Sequence, residues 1–124
     1  MGRIERERSA LREELPPIDR REARTILAAK LDELAGRYGF AYNRLYVRNQ
    51  RTLWGSCSSK NNISLNMNLV RLPAELIEYV ILHELVHTRV RNHGPSFWAE
   101  LEKIAGDPQP LRKKLRAYHP EQWA

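Results

Sequence analysis

The sequence predicts an α+β fold: a small three-stranded antiparallel sheet packed with a long helix and with a second, buried helix. Three features point to it. Apolar residues recur at helical spacing between Asp19 and Tyr38, residues 63–69 alternate strictly, and a largely apolar run from Leu76 to Val90 is interrupted by His83, Glu84 and His87.

Residues 1–17 form a charged N-terminal arm in which Arg and Glu alternate around Ile4, Leu11 and Leu15, the pattern of a surface helix with salt-bridge spacing. Pro16 and Pro17 end it, and residues 18–124 are expected to form the single folded domain. Asp19 followed by Glu22 has the capping-box pattern. Ala23, Ile26, Leu27, Leu31, Leu34 and Tyr38 then supply one buried stripe until Gly39 stops the helix. Leu45 and Val47 alternate with polar neighbours, a second extended run spans Arg51 to Ser56, and SSKNN at 58–62 has the composition of a hairpin turn. Ile63, Leu65, Met67 and Leu69 give the third strand one apolar face. Asn66 and Asn68 fall on its polar side, where they either bond a substrate backbone or face solvent. Pro73 opens the buried helix, with Glu75 in its first turn. Gly94 and Pro95 start another helix carrying Phe97, Trp98, Leu101 and Ile104, which Gly106 closes. Asp107 and Pro108 open a last basic helix around Leu111 and Leu115.

At 124 residues, 42% hydrophobic and 29% charged, the chain has the balance of one globular domain. No apolar run reaches the 18 or so residues of a membrane span, and the first residues are charged where a signal peptide would be apolar. A cytoplasmic protein without membrane partners is expected. The single cysteine, Cys57, excludes an intramolecular disulfide framework and a multi-cysteine zinc finger. A net charge of +6 favours polyanions or acidic substrates. Six acidic residues are interleaved with the seven arginines of the first 24, so the arm reads first as a salt-bridged surface. A nucleic-acid partner would require a segregated basic face.

The chemistry concentrates in HELVHTRVRNH, residues 83–93. His83 and His87, four apart on a helix, project from one face about 6 Å apart along the axis, a spacing that two ligands of one zinc ion meet. Glu84 is rotated beside the metal rather than onto it, the place for a base that activates water. A third ligand is required. His93 reaches the metal only if the chain bends after the helix, and Asn92, Gly94 and Pro95 favour a bend there. Glu100 or Glu102 on the following helix, or His119 near the C-terminus, are the competing ligands. Cys57 is either a small buried filler or an oxidation-sensitive group near the metal.

The run RTLWGSCSSKNNISLNMNLVRLPAELIEYVILHELVHTRVRNHGPSFW, residues 51–98, resembles the core of the YgjP-like metal-dependent hydrolases, relatives of the SprT-like and other zincin metalloproteases. The likeness is close over these residues and looser over 50–124, with the arm before residue 25 outside it. It implies a zincin-like fold, His83, His87 and His93 as zinc ligands, and Glu84 as catalytic base. The metzincin motif shares this ligand spacing but has glycine where this chain has Val90, so a metzincin turn is not expected.

The function expected is a zinc-dependent metallopeptidase acting on a peptide or protein, with Glu84 taking a proton from water and passing it to the leaving amine. Tyr118, His119 and Arg91 are candidates for stabilising the oxyanion. Two alternatives use the same histidines. One is a metal-dependent nucleoside-triphosphate pyrophosphatase, an activity attributed to one branch of the family; the other is a non-catalytic zinc or nucleic-acid-binding module.

Overall fold

The computed structural model describes residues 16–120, so the arm expected over residues 1–17 lies almost wholly outside the described residues. Helix α1 spans Arg20–Tyr38. Asp19 caps it by accepting a hydrogen bond from the Arg21 N–H at 2.8 Å. Gly39 ends it with φ 73°, a left-handed conformation that a side chain disfavours, while its N–H bonds Ala35 O. Ala23, Leu27, Leu31 and Leu34 form the buried stripe. Ile26 lies off it and is 46% exposed, because three residues after Ala23 the helix has already turned away from the core.

Strands β1 (Leu45–Arg48), β2 (Gly55–Cys57) and β3 (Ile63–Asn66) make one sheet in the order β1-β3-β2. β2 and β3 form the expected antiparallel hairpin, whereas β1 pairs with β3 in parallel, Leu45 opposite Ile63. The sheet is therefore mixed, which corrects the expectation of a purely antiparallel one. Residues 49–54 carry the chain across the end of β3, and Asn66 fixes that crossing. Its side-chain amide donates to Gln50 O at 2.8 Å and Leu53 O at 2.9 Å, and its backbone N–H bonds Trp54 O. Asn68 donates to the side chain of Asn49 at 3.0 Å. Both asparagines are 1% exposed, so neither faces solvent or substrate as their alternation suggested. The third strand also ends earlier than its period implied, passing at Met67 into a 3₁₀ turn over Met67–Arg71.

Helix α2 (Ala74–His87) runs through the centre, packed by α1, the sheet and the two helices that follow, α3 (Pro95–Ala105) and α4 (Gln109–Leu115). Leu76, Ile81, Leu85 and Val86 are fully buried on it, and Phe97 and Leu101 of α3 close the core beside it. Burial on most sides gives α2 a fixed rotation, and that rotation aims its two histidines. No helix among the described residues is long and apolar enough to cross a membrane.

Candidate metal centre

His83 and His87 lie one turn apart near the C-terminal end of α2. The helix stops at His87, three residues before Val90, where the apolar pattern had placed its end. Thr88 closes the last turn on Leu85 O through both its N–H and its hydroxyl, and the Val90 N–H bonds Val86 O. The return of the chain needs no left-handed residue at Asn92: Asn61, in the hairpin turn, is the one non-glycine with positive φ among the described residues. Three side chains fix residues 88–94 instead. His87 Nδ1 lies 3.0 Å from Val90 O. Arg91 donates to Ser58 O at 2.7 Å and Ser59 O at 3.0 Å in the β2–β3 turn, and Trp98 Nε1 donates to His93 O at 3.2 Å.

The loop brings His93 back onto the helix pair, so that one ring nitrogen from each of His83, His87 and His93 lies within 4.8 Å of the other two. Beneath them Phe97, fully buried, touches all three rings, with centroids 4.9 Å from His83, 4.4 Å from His87 and 4.9 Å from His93. Trp98 stacks on His93 at 5.9 Å. Phe97 and Trp98 read as ordinary core residues in the sequence; the signal that marks them is their place just after the turn that follows His93.

The donor set fits a metal ion. Val90 O takes the Nδ1 proton of His87, leaving Nε2 as the lone-pair donor, and that atom lies 2.8 Å from His93 Nε2. Ligands of a tetrahedral shell with metal–nitrogen bonds near 2 Å stand about 3.3 Å apart, within a small movement of the exposed His93 ring. Desolvation first, then the charges of His83 and His87, hold His93 below the ordinary histidine range, so its ring is neutral at pH 7, as a ligand must be.

Glu84 sits beside the cluster, 5% exposed, with Oε2 3.3 Å from His83 Nδ1. It packs against Gly55 of β2: a Cβ there would stand 3.1 Å from Glu84 Cγ and 3.2 Å from Oε2. A cleft of about 480 Å³ opens next to His83 and Glu84, bounded by Trp54 and Gly55, by Tyr79, and by Arg112, Tyr118 and His119. Burial pushes the Tyr79 hydroxyl above its ordinary range, so it is protonated at neutral pH.

The other sequence candidates separate. Glu100 pairs with Arg89 at 3.5 Å and Lys103 at 3.9 Å, Glu102 is exposed on α3, and His119 lies on the cleft wall, so none of them joins the histidine cluster. Tyr118 also lines the cleft, whereas Arg91 is committed to the hairpin. Cys57 is half-buried in β2 outside the cluster, with Sγ 3.7 Å from Arg91 Nη1; burial pushes its thiol up against the opposing pull of that guanidinium.

Fold and cluster together define a class: an α+β domain with a candidate metal centre at the end of its buried helix. The chain belongs to the YgjP-like family of metallopeptidase domains, whose pattern matches residues 3–118. That match runs through the arginine-rich arm, further toward the N-terminus than the resemblance read from the sequence. Two crystal structures share the fold. The metallopeptidase zymogen of Pyrococcus abyssi abylysin is 21% identical with a TM-score of 0.65, over 73% of this chain and 92% of that one. The metallopeptidase zymogen of Methanocaldococcus jannaschii jannalysin is 22% identical with a TM-score of 0.64, over 73% and 94%. Curated proteins give no match.

Proposed function

We propose that this protein is a zinc-dependent peptidase that holds its metal through His83, His87 and His93 and uses Glu84 as general base. The observation that carries this is the convergence of three imidazole nitrogens within 4.8 Å beside a buried carboxylate. Three neutral imidazoles with a cleft on one side are the donor set of a catalytic zinc site, which keeps a position open. Membership of a family described as metallopeptidase domains, and a fold shared with metallopeptidase zymogens, favour a peptide substrate over the nucleotide and nucleic-acid alternatives.

When bound, the zinc supplies a Lewis acid that lowers the pKa of water toward 7 and polarises the scissile carbonyl. Glu84 accepts the proton of the attacking water and returns it to the departing amine. Its burial against Gly55 limits the directions in which the carboxylate points. Val90 O holds the His87 tautomer, and Phe97 keeps water from the far side of the rings. Tyr118 and His119 line the cleft, which supports them as the donors to the developing oxyanion. Residues 18–124 act as the catalytic domain behind a charged arm at 1–17, and a lone half-buried thiol fits a reducing, cytoplasmic setting.

The test is Glu84→Gln, assayed for zinc content and for hydrolysis of an internally quenched peptide on the same preparation. Zinc content should stay near wild type while turnover falls about 100- to 10,000-fold, the usual contribution of general acid–base catalysis. Wild-type turnover in the zinc-replete variant would overturn the proposal.

A further inference from the structure

The basic wall of the cleft has no task in the hydrolytic steps above. Helix α4 places Arg112 there, with Arg116 one turn on, while Glu84 is the one carboxylate among the described residues that line the cleft. Arg112 is half-buried, and its guanidinium carbon lies 4.6 Å from the centroid of the Trp98 ring. Trp98 in turn stacks on His93, so the charge of Arg112 is fixed one aromatic ring away from the histidine cluster. Among the described residues no carboxylate pairs with Arg112. Lys114, two positions along the same short helix, is bonded to Glu75 at 2.8 Å instead.

A guanidinium held over an aromatic ring is attracted to the π-face by its charge and keeps N–H donors for a planar acceptor. A carboxylate meets those donors with two parallel charge-assisted hydrogen bonds. An arginine with no carboxylate paired to it among the described residues, held this way next to a peptide-cleaving centre, sorts substrates by charge.

We infer that Arg112 is a specificity-determining residue that receives the carboxylate of an aspartate or glutamate flanking the scissile bond, making acidic peptides the preferred substrates. The inference rests on the peptidase reading above and adds to it the chemical class of substrate. Arg116, exposed at the same wall, extends the positive field without being required for the pairing.

The experiment uses quenched peptides identical except for Glu, Gln or Lys at positions within two residues of the cleaved bond. The zinc-loaded wild type should prefer Glu over Lys by about 10- to 100-fold in kcat/KM, the worth of a hydrogen-bonded charge, with most of the difference in KM. In R112E the preference should swing toward Lys. R112Q, which removes the charge and is the variant to use if R112E does not fold, should bring the ratio toward one. Affinities of the Glu and Lys peptides for Glu84→Gln protein, with and without the Arg112 change, give the same comparison without turnover. Equal cleavage of Glu and Lys peptides by wild type, or an acidic preference that survives R112E, overturns the assignment and leaves the peptidase reading standing. An Arg112-dependent preference in binding, with no peptide hydrolysed by wild type, supports Arg112 as the contact for acidic peptides and brings down the peptidase reading instead.

Discussion

Gly55 controls the position of Glu84 although it has no side chain. It lies in β2, opposite Leu65 of β3, and faces the carboxylate across the gap between sheet and helix. A methyl group there would meet Glu84 Cγ at 3.1 Å and Ser64 O at 3.3 Å; the carbonyl belongs to a paired strand, so the glutamate must yield. Gly55→Ala is expected to lower peptide hydrolysis at least about 10-fold, since misplacing a catalytic group by 1 Å costs on the order of 100-fold, while destabilising the fold by about 1–3 kcal/mol. Turnover measured together with a denaturant melt checks it, and unchanged turnover would show that Glu84 has room to spare. In the sequence, Gly55 shows only as a glycine in a short extended run, the mark of a close approach to something unspecified. Its partner is 29 positions away, and no local pattern names it. Asn66 and Asn68 misled for a related reason: alternation assigns a side chain to a face, but the crossing of residues 49–54 buried that face and gave the Asn66 amide the carbonyls of Gln50 and Leu53, and the Asn68 amide the side chain of Asn49, to bond.

At the scale of elements, the turn after α2 determines which residue completes the cluster. The spacing of His83 and His87 was legible because it depends only on helix geometry. The third partner was legible only as a bend at Asn92, Gly94 and Pro95 and through the family resemblance, with Glu100, Glu102 and His119 left in competition, since residues 88–94 are shaped by Val90 O, by Arg91 on a hairpin some thirty residues earlier, and by Trp98 on the next helix. His93→Ala is expected to weaken zinc binding at least about 100-fold, the upper end of the loss seen when even an outer-shell partner is removed. Glu100→Ala should leave the affinity near wild type, because Glu100 is engaged with Arg89 and Lys103. Competition titration against a chromophoric chelator measures both, and the reverse ranking would assign the third ligand to the glutamate. The mixed sheet belongs to the same scale. Its strands could be read from alternation, but the sequence does not contain their order, which follows from the tie between Asn66 and the crossing segment.

For the whole molecule, three separate parts of the chain must assemble before a cleft exists. β2 and the residues before it supply one wall, α2 the floor, and α4 with Tyr118 and His119 the opposite wall. The floor announces itself in the sequence by its motif, and of the walls only Tyr118 and His119 were singled out there. The α+β class and the buried central helix were legible because period and burial agree along each element, whereas the basic wall depends on where a seven-residue helix docks. Arg112 therefore reads in the sequence as one more charge on a basic helix. The central claim is that the three histidines hold one zinc ion, and X-ray absorption at the zinc edge of protein loaded with one equivalent tests it most directly. Three imidazole ligands with metal–nitrogen distances of about 2.0–2.1 Å, completed by a lighter oxygen donor and no sulfur, are the expected result. A shell with two imidazoles and a carboxylate, or one containing the Cys57 thiolate, would contradict it.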